Sequence, residues 1–130
     1  MRMHIFYCFL LAFGMLGSIE ASAAEKIFDT PTLDRIAQTG KIRIGYGSTA
    51  PFSFLNADGQ VIGYSIDLCR AVVEKLKQRL KVQSIDVEFV PRTPSNRVQL
   101  LNNGAMDIEC NASTNTAERR KSVAFSYSHF

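Results

Sequence analysis

The feature that most limits how this chain can fold is the alternation of strand-like and helix-like segments after residue 30. Apolar residues recur at every second position in Lys41–Tyr46, Ile85–Val90 and Met106–Cys110, a spacing typical of strands. Helical segments separate these runs. A chain that alternates in this way forms a right-handed parallel sheet with helices packed on it, so the sequence predicts the α/β class.

Residue types that start or end helices predict the helix bounds. Thr32 is predicted to cap a short helix that ends at Gly40, and Ser65 to cap the longest helix. Thr93 is predicted to cap a further helix with Pro94 at its first position, where the missing N–H costs nothing. The predicted core face of the longest helix combines residues at i+4 steps with two neighbours: Leu68, Val72, Leu76 and Leu80, with Cys69 and Val73.

Shorter signals complete the predicted order of elements. Residues 56–59 predict a tight turn between the segments 51–55 and 60–63. Residues 117–121 predict a last helix after a polar loop, and residues 123–126 predict an extended segment.

The first 23 residues have the three-part order of a secretory signal peptide. A positively charged start precedes an uncharged apolar run at residues 5–16, and a run of small residues, 21–24, follows. The apolar run is shorter than the roughly 20 residues that a membrane-spanning helix needs. The sequence therefore predicts a signal peptide at residues 1–23, export to the periplasm, and one domain at residues 24–130.

Charge and cysteine content narrow the function classes. The chain has 15 basic and 12 acidic residues, and its longest basic run is Arg119–Lys121, so the sequence argues against nucleic-acid binding. An oxidising compartment permits a disulfide between Cys69 and Cys110, the two cysteines after the predicted signal. The sequence nevertheless favours two unpaired, buried cysteines over a disulfide, because free cysteine is among the most buried residue types.

Three segments follow the carboxyl ends of the predicted strands, where ligands bind in sheets of this class. They are residues 46–54, 92–97 and 111–119, and their candidate binding residues are Ser48, Phe52, Arg97, Ser113, Thr114 and Arg119. The N–H donors of a helix start favour an anion, and an arginine there adds a fork that matches a carboxylate. The sequence therefore predicts a pocket for a small carboxylate. For any single residue, a cap or a surface ion pair is the alternative role.

Motifs along the chain after residue 23 resemble one known family. They are Thr32-Leu33-Asp34-Arg35-Ile36, Pro51-Phe52-Ser53-Phe54, Gly63-Tyr64-Ser65-Ile66-Asp67-Leu68, the run from Ser95 to Gly104, Asp107-Ile108-Glu109-Cys110, and the run from Ser113 to Arg119. In this order they resemble the amino-terminal half of lobe 1 of periplasmic solute-binding proteins, family 3, and most of all the glutamate/aspartate-binding branch. These proteins are the substrate-binding components of polar amino-acid ABC importers. The resemblance implies a periplasmic binding protein-like lobe 1, a mostly parallel sheet flanked by helices, that stops where the family's hinge should begin.

By that resemblance, the chain captures a free polar amino acid, of acidic type in this branch, for a membrane permease, without a cofactor or a metal. Arg119 is implied to hold the ligand's α-carboxylate with help from Thr114. Phe52 is implied to pack on the ligand, and Arg97 to face an acidic side chain.

Three departures from the branch bear on specificity. The branch places an arginine just after the first strand, where this chain reads Gly45-Tyr46-Gly47-Ser48. The branch's serine two residues before the loop threonine is Ala112 here, and another polar position is Pro94. A second partner for a side-chain carboxylate is therefore absent at these positions.

Two other function classes stay open on sequence alone. One is a dehydratase-like enzyme built on the same fold. It is disfavoured because the three ligand segments contain no His, and Asp107 and Glu109 alternate on a strand instead of facing each other as an acid/base pair. The other is a periplasmic sensory or interaction module, which would require a transmembrane or signalling segment.

Overall fold

Helices and strands alternate along the chain in the computed structural model, which describes residues 30–128. The elements in chain order are α1 (Pro31–Thr39), β1 (Lys41–Tyr46), β2 (Phe54–Leu55), β3 (Val61–Ile62), α2 (Tyr64–Leu80), β4 (Asp86–Pro91), α3 (Arg97–Asn102), β5 (Ile108–Glu109) and a 3₁₀ helix (Arg119–Lys121). The predicted signal peptide, residues 1–23, lies outside the described residues.

A three-stranded parallel sheet confirms the α/β prediction. Its strand order is β4-β1-β5, so β1 is central. β1 pairs with β4 along its whole length and with β5 through Ile44 and Gly45. β2 and β3 form a separate antiparallel hairpin around the predicted turn at residues 56–59. The three parallel strands end at one edge, which brings the segments that follow them together.

The core lies between the parallel sheet and helices α1 and α2. Its buried members come from both layers and the hairpin: Ile36, Ile42, Ile44, Val61, Ile66, Cys69, Val73 and Cys110. Burial of each large aliphatic side chain stabilises the fold by about 1.5–3 kcal/mol. This small core holds the strand ends in fixed positions.

The start of α1 differs from the prediction that Thr32 is its cap. Thr30 is the cap, and its Oγ1 accepts a hydrogen bond from the Leu33 N–H at 3.3 Å. Pro31 then occupies the first helical position, where no N–H is needed. The helix ends as predicted at Gly40, which adopts φ 64° and donates its N–H to the Ile36 carbonyl.

The start of α2 also corrects a prediction, because Ser65 is not its cap. Gly63 precedes the helix with φ 131°, and carbonyl oxygens of Pro51 and Phe52 accept the N–H groups of Tyr64 and Ser65. The loop before β2 therefore satisfies the first helical donors, so a side-chain cap is unnecessary. Ser65 is buried inside the helix.

The predicted core face of α2 is only partly right. Cys69 and Val73 are buried, and Leu76 and Leu80 pack against the core. Leu68 and Val72, however, are 36% and 43% exposed. A strict i+4 row drifts by about 40° per step around a helix with 3.6 residues per turn, so it cannot stay on one face. The observed core row alternates steps of three and four residues, which cancels this drift.

The third predicted helix start, at Thr93 and Pro94, is wrong by several residues. Thr93 Oγ1 accepts the Asn96 N–H at 3.3 Å, and Asn96 Oδ1 accepts the Thr93 N–H at 2.8 Å. These reciprocal bonds close a turn over residues 93–96, and Asn96 becomes the cap of α3. Arg97 is therefore the first residue of that helix.

The last predicted elements are shorter than expected. The helix predicted at residues 117–121 is only the 3₁₀ turn at Arg119–Lys121, because this polar stretch has no apolar face to bury. Residues 123–126 form no strand. The strand predicted at Ile85–Val90 is shifted by one residue, and only Ile108–Glu109 of Met106–Cys110 joins the sheet.

A disulfide between Cys69 and Cys110 overturns the favoured interpretation of two unpaired cysteines. Their Cα atoms are 6.2 Å apart, within the range that a disulfide spans. Spacing alone could not show this, because the contact depends on how α2 packs over the sheet. The bridge ties α2 to the residue that follows β5.

An ionic cluster around Asp107 ties α1 and β1 to the start of β5. Asp107 accepts hydrogen bonds from the Arg35 guanidinium at 2.6 Å and from the Arg43 backbone N–H at 2.8 Å. Burial of Asp107 opposes its ionisation, but the hydrogen bonds from Arg43 and Arg35 outweigh it, so the pKa of Asp107 lies below its ordinary value. The Asp107 carboxylate therefore has a structural role, because it holds α1, β1 and the start of β5 together.

Candidate functional site

The three parallel strands carry their following segments to one edge of the sheet. The Arg92 N–H donates to the Tyr46 carbonyl at 2.9 Å, which holds the end of β4 beside the end of β1. The Cys110 N–H donates to the Gly45 carbonyl at 2.9 Å, which does the same for β5. The loops after β1, β4 and β5 therefore begin side by side, as the topology predicts.

A chain of four polar side chains runs across this edge. Arg92 Nε lies 2.6 Å from Glu109 Oε1. The Ser113 hydroxyl donates to Glu109 Oε2 at 2.9 Å and accepts from Arg97 Nη1 at 3.0 Å. We call Arg92, Arg97, Glu109 and Ser113 the arginine cluster. It links α3 to the segments that follow β4 and β5.

The arginine cluster is buried and carries an excess positive charge. Arg92 and Arg97 are each only 9% exposed. Glu109 is the one acidic member, so two cations face a single carboxylate. Burial lowers the pKa of Arg92, the nearby Glu109 partly restores it, and Arg97 lowers it further. An additional anion at this edge would complete the charge balance.

Arg119 and Thr114 form a second, more accessible group. Arg119 Nη1 donates to the Thr114 carbonyl oxygen at 2.7 Å, and the Arg119 N–H donates to Thr116 Oγ1 at 3.3 Å. Thr114 is exposed and Arg119 is half-buried. The helix start expected here is a single 3₁₀ turn, so a helix dipole contributes little to the site. The guanidinium of Arg119 is the main charge of this loop.

The predicted residues Ser48 and Phe52 lie on the loop after β1. Ser48 is exposed, and Phe52 is half-buried with its N–H donating to the Thr49 carbonyl at 2.8 Å. The buried Ser53 fixes this loop, because its Oγ accepts the Gly47 N–H at 3.1 Å. The loop therefore borders the arginine cluster from the central strand.

Among the six predicted site residues, the structure joins two pairs by direct hydrogen bonds. Arg97 bonds to Ser113, and Arg119 bonds to Thr114 through its carbonyl oxygen. Ser48 and Phe52 lie one strand away, on the neighbouring loop.

Three polar residues of this edge have no role in the sequence-based site: Arg92, Glu109 and Asn111. Each is at or just beyond the end of a parallel strand, and Arg92 and Asn111 are among the few buried polar residues of the described chain. A polar residue just after a predicted strand is the signal that could have identified Arg92 and Asn111. From the sequence, Glu109 is considered only with Asp107 as a possible acid/base pair, which is disfavoured because the two alternate on a strand.

Gly47 leaves space for two of these side chains. A Cβ atom at Gly47 would collide with the Asn111 Nδ2 atom and lie 3.2 Å from Arg92 Cζ. The resemblance to the glutamate/aspartate branch implies an arginine in this region, where this chain has none. A guanidinium from the end of β4 therefore lies against the end of β1.

Other candidate sites are weaker. A groove of about 400 Å³ lies between α2 and β4, away from the strand ends, and includes Arg70, Val73 and Val87 in its lining. Within residues 30–128, no group of three or more His, Cys, Asp or Glu side chains is arranged to hold a metal ion. No helix in the described part of the chain has the length and hydropathy of a membrane span.

Comparison with known sequences identifies relatives of this chain. Residues 42–130 match the bacterial extracellular solute-binding proteins, family 3. The glutamate/aspartate import solute-binding protein of Escherichia coli (strain K12) is 44% identical over 96 residues, which are 73% of this chain and 32% of that protein. The L-glutamate/L-aspartate-binding protein of Pseudomonas aeruginosa is 42% identical over 103 residues, which are 78% of this chain and 34% of that protein. The chain thus spans about a third of the length of these relatives.

Solved structures with the same fold include binding proteins and an ancestral enzyme. An ancestral cationic amino acid solute-binding protein is 38% identical with a TM-score of 0.64, over 73% of this chain and 39% of that one. An arginine-bound form of domain 1 from TmArgBP is 28% identical with a TM-score of 0.62, over 75% of this chain and 71% of that one. An ancestral cyclohexadienyl dehydratase is 33% identical with a TM-score of 0.61, over 72% of this chain and 36% of that one.

The match over residues 42–130 and the identity to the two bacterial relatives agree with the parallel sheet and with the motifs found in the sequence. This chain belongs to the bacterial extracellular solute-binding proteins, family 3.

Proposed function

We propose that this chain is part of the substrate-binding component of an amino-acid ABC importer, and that it captures a polar, acidic amino acid in the periplasm. The observation that carries the proposal is the positively charged edge beyond the parallel strands, where the arginine cluster lies beside the loop of Arg119. A second support is that the two bacterial relatives are named for binding glutamate and aspartate. The membrane permease of the importer is the partner that this role requires.

In this proposal, residues 1–23 are a cleaved signal peptide and residues 24–130 are the amino-terminal part of lobe 1. Arg119 holds the α-carboxylate, because its fork matches a carboxylate and its partner in the structure, the Thr114 carbonyl, orients it towards the loop. Thr114 assists, Phe52 and Ser48 border the ligand, and Arg97 faces its side chain, fixed there by Ser113.

Catalysis is not part of the proposal. The carboxylate of the arginine cluster, Glu109, has one oxygen beside Arg92 and the other accepting the Ser113 hydroxyl. A general base needs a lone pair within reach of the substrate. Both contacts hold the Glu109 carboxylate against protein groups, which favours binding over the dehydratase alternative.

Calorimetric titration of the full-length gene product with L-glutamate, L-aspartate, L-glutamine and L-arginine tests the function. We expect binding of glutamate or aspartate, and we expect Arg119→Ala to weaken it by about 1.5–3 kcal/mol, the scale of a hydrogen bond to a charged group. Arg120→Ala is the matched control, since Arg120 is exposed and bonds to Asn115 on the same loop. If none of the four amino acids binds, or if both variants lose affinity equally, the proposal is wrong.

A further inference from the structure

Buried polar atoms that take part in no hydrogen bond gather at the strand ends. Among residues 30–128, only four buried side-chain atoms lack such a partner: Ser65 Oγ, Arg92 Nε, Glu109 Oε1 and Asn111 Nδ2. Three of the four belong to one place, the edge beyond β4 and β5. Arg92 Nε and Glu109 Oε1 lie 2.6 Å apart as an ion pair, which balances one positive charge, but neither atom takes part in a hydrogen bond.

We propose that Arg92 and Asn111 form a subsite for the side-chain carboxylate of the ligand, which makes Arg92 a specificity-determining residue. This inference rests on the proposed amino-acid-binding function and names two residues that the family resemblance does not assign. Each buried polar group of a folded protein normally has a partner. A ligand oxygen supplies the acceptor that the Asn111 amide lacks.

The geometry of Gly47 places the two groups together. The Cβ position of that residue lies against both the Asn111 amide and the Arg92 guanidinium, so both side chains approach the end of the central strand. Their residues come from the ends of β4 and β5, on either side of β1. A ligand oxygen beyond the end of β1 therefore has a guanidinium and an amide within one small region.

Charge selects which side chain binds there. Arg92 and Arg97 together outweigh Glu109 by one positive charge, and the two arginines repel each other in a buried setting. A carboxylate neutralises this excess. A neutral amide can accept the same hydrogen bonds but leaves the charge, and a cationic side chain adds to it. The subsite thus favours glutamate or aspartate over glutamine, and both over arginine.

The test compares L-glutamate with L-glutamine by calorimetry on the full-length gene product. Arg92→Gln is expected to weaken glutamate binding at least tenfold and glutamine binding less than threefold, so that selectivity is lost. Asn111→Ala is expected to weaken both ligands by a similar factor, because both offer an acceptor oxygen. Arg43→Gln is the matched control: it also removes an arginine from an ion pair, with Asp107, and selectivity should stay unchanged.

A second variant separates loss of binding from loss of folding, because Arg92→Gln removes the ion-pair partner of Glu109 and can destabilise the chain. Arg92→Gln/Glu109→Gln removes both charges and retains the net charge of the cluster, and circular dichroism reports whether each variant is folded. We expect glutamate binding to stay weak in the double variant. Recovery to the wild-type affinity would show that only net charge matters, and equal losses for both ligands in Arg92→Gln would show a structural role; either result overturns the inference. Failure of the wild type to bind any amino acid would overturn the proposed function as well.

Discussion

The Cys69–Cys110 disulfide should be a large contributor to the stability of this small fold. It joins residues 41 positions apart in the sequence, linking α2 to the end of β5. Closing a loop of that length in the unfolded chain removes conformational entropy worth about 4 kcal/mol. Both cysteines are buried in the native core, so reduction leaves the packing nearly intact and acts mainly on the unfolded state. We therefore expect reduction to lower the free energy of unfolding by about 3–4 kcal/mol.

Urea unfolding of the same chain, oxidised and reduced with dithiothreitol, measures this contribution. Circular dichroism is the suitable signal, since the chain has no Trp. A form that starts at Ala24 avoids interference from the third cysteine, Cys8. The slope of the free energy with urea should rise on reduction, because an uncrosslinked chain exposes more surface when it unfolds.

Cys69→Ala/Cys110→Ala is the matched control for this measurement. It should unfold near the midpoint of the reduced wild type and should not respond to dithiothreitol. If the oxidised and reduced wild-type chains differ by less than about 1 kcal/mol, the entropic argument is wrong for this bridge.

Further predictions follow from the other contacts. Asp107→Asn should lower the free energy of unfolding by about 2–4 kcal/mol at pH 7, since it leaves two guanidinium groups without their carboxylate. The folded pKa of Asp107 lies below its unfolded value, so its stabilisation is fully present above the unfolded pKa and is lost as the pH falls through the folded pKa. The difference in the free energy of unfolding between wild type and Asp107→Asn should therefore narrow as the pH is lowered from 7 in a series of urea unfolding curves. Gly47→Ala should destabilise the chain by about 1–3 kcal/mol through crowding and weaken glutamate binding, whereas Gly59→Ala, in open space, should leave affinity unchanged in the same calorimetry. The exported protein should start at Ala24 or Glu25, and mass spectrometry that finds residues 1–20 in it would contradict the signal peptide.

Local periodicity was sufficient to predict the order of the elements but not the starts of the helices. β1 coincides with its prediction because six alternating residues lie between a helix-ending glycine and a loop. The start of α2 depended on carbonyl oxygens twelve or more residues away in sequence, at Pro51 and Phe52. The sequence around Ser65 contains no signal for these distant partners. The sequence-based prediction therefore assigned the cap to Ser65, the nearest residue of a capping type.

The site shows the same division between local and tertiary information. Strand ends and arginine chemistry pointed to Arg97 and Arg119 from the sequence alone. The pairing of Arg92 with Glu109 could not be predicted, because it requires β4 and β5 to flank β1 in register. The sequence indicated a missing arginine in the segment after β1, and it could not show that the Arg92 guanidinium from the end of β4 lies beside Gly47.

In the proposed site, the environments of Arg119 and Arg92 give affinity and selectivity separate origins. Arg119 is half-buried on a loop, and an ion pair that stays in contact with water is worth only about 0–1 kcal/mol. Binding at about 1 μM requires roughly 8 kcal/mol. Domain 1 of TmArgBP has been solved in an arginine-bound form. In the function proposed here, a surface that closes over Arg119 excludes water from the ligand carboxylate and strengthens this contact. Arg92 is already buried within the described residues, so the proposed subsite would distinguish acidic from neutral side chains before any such closure.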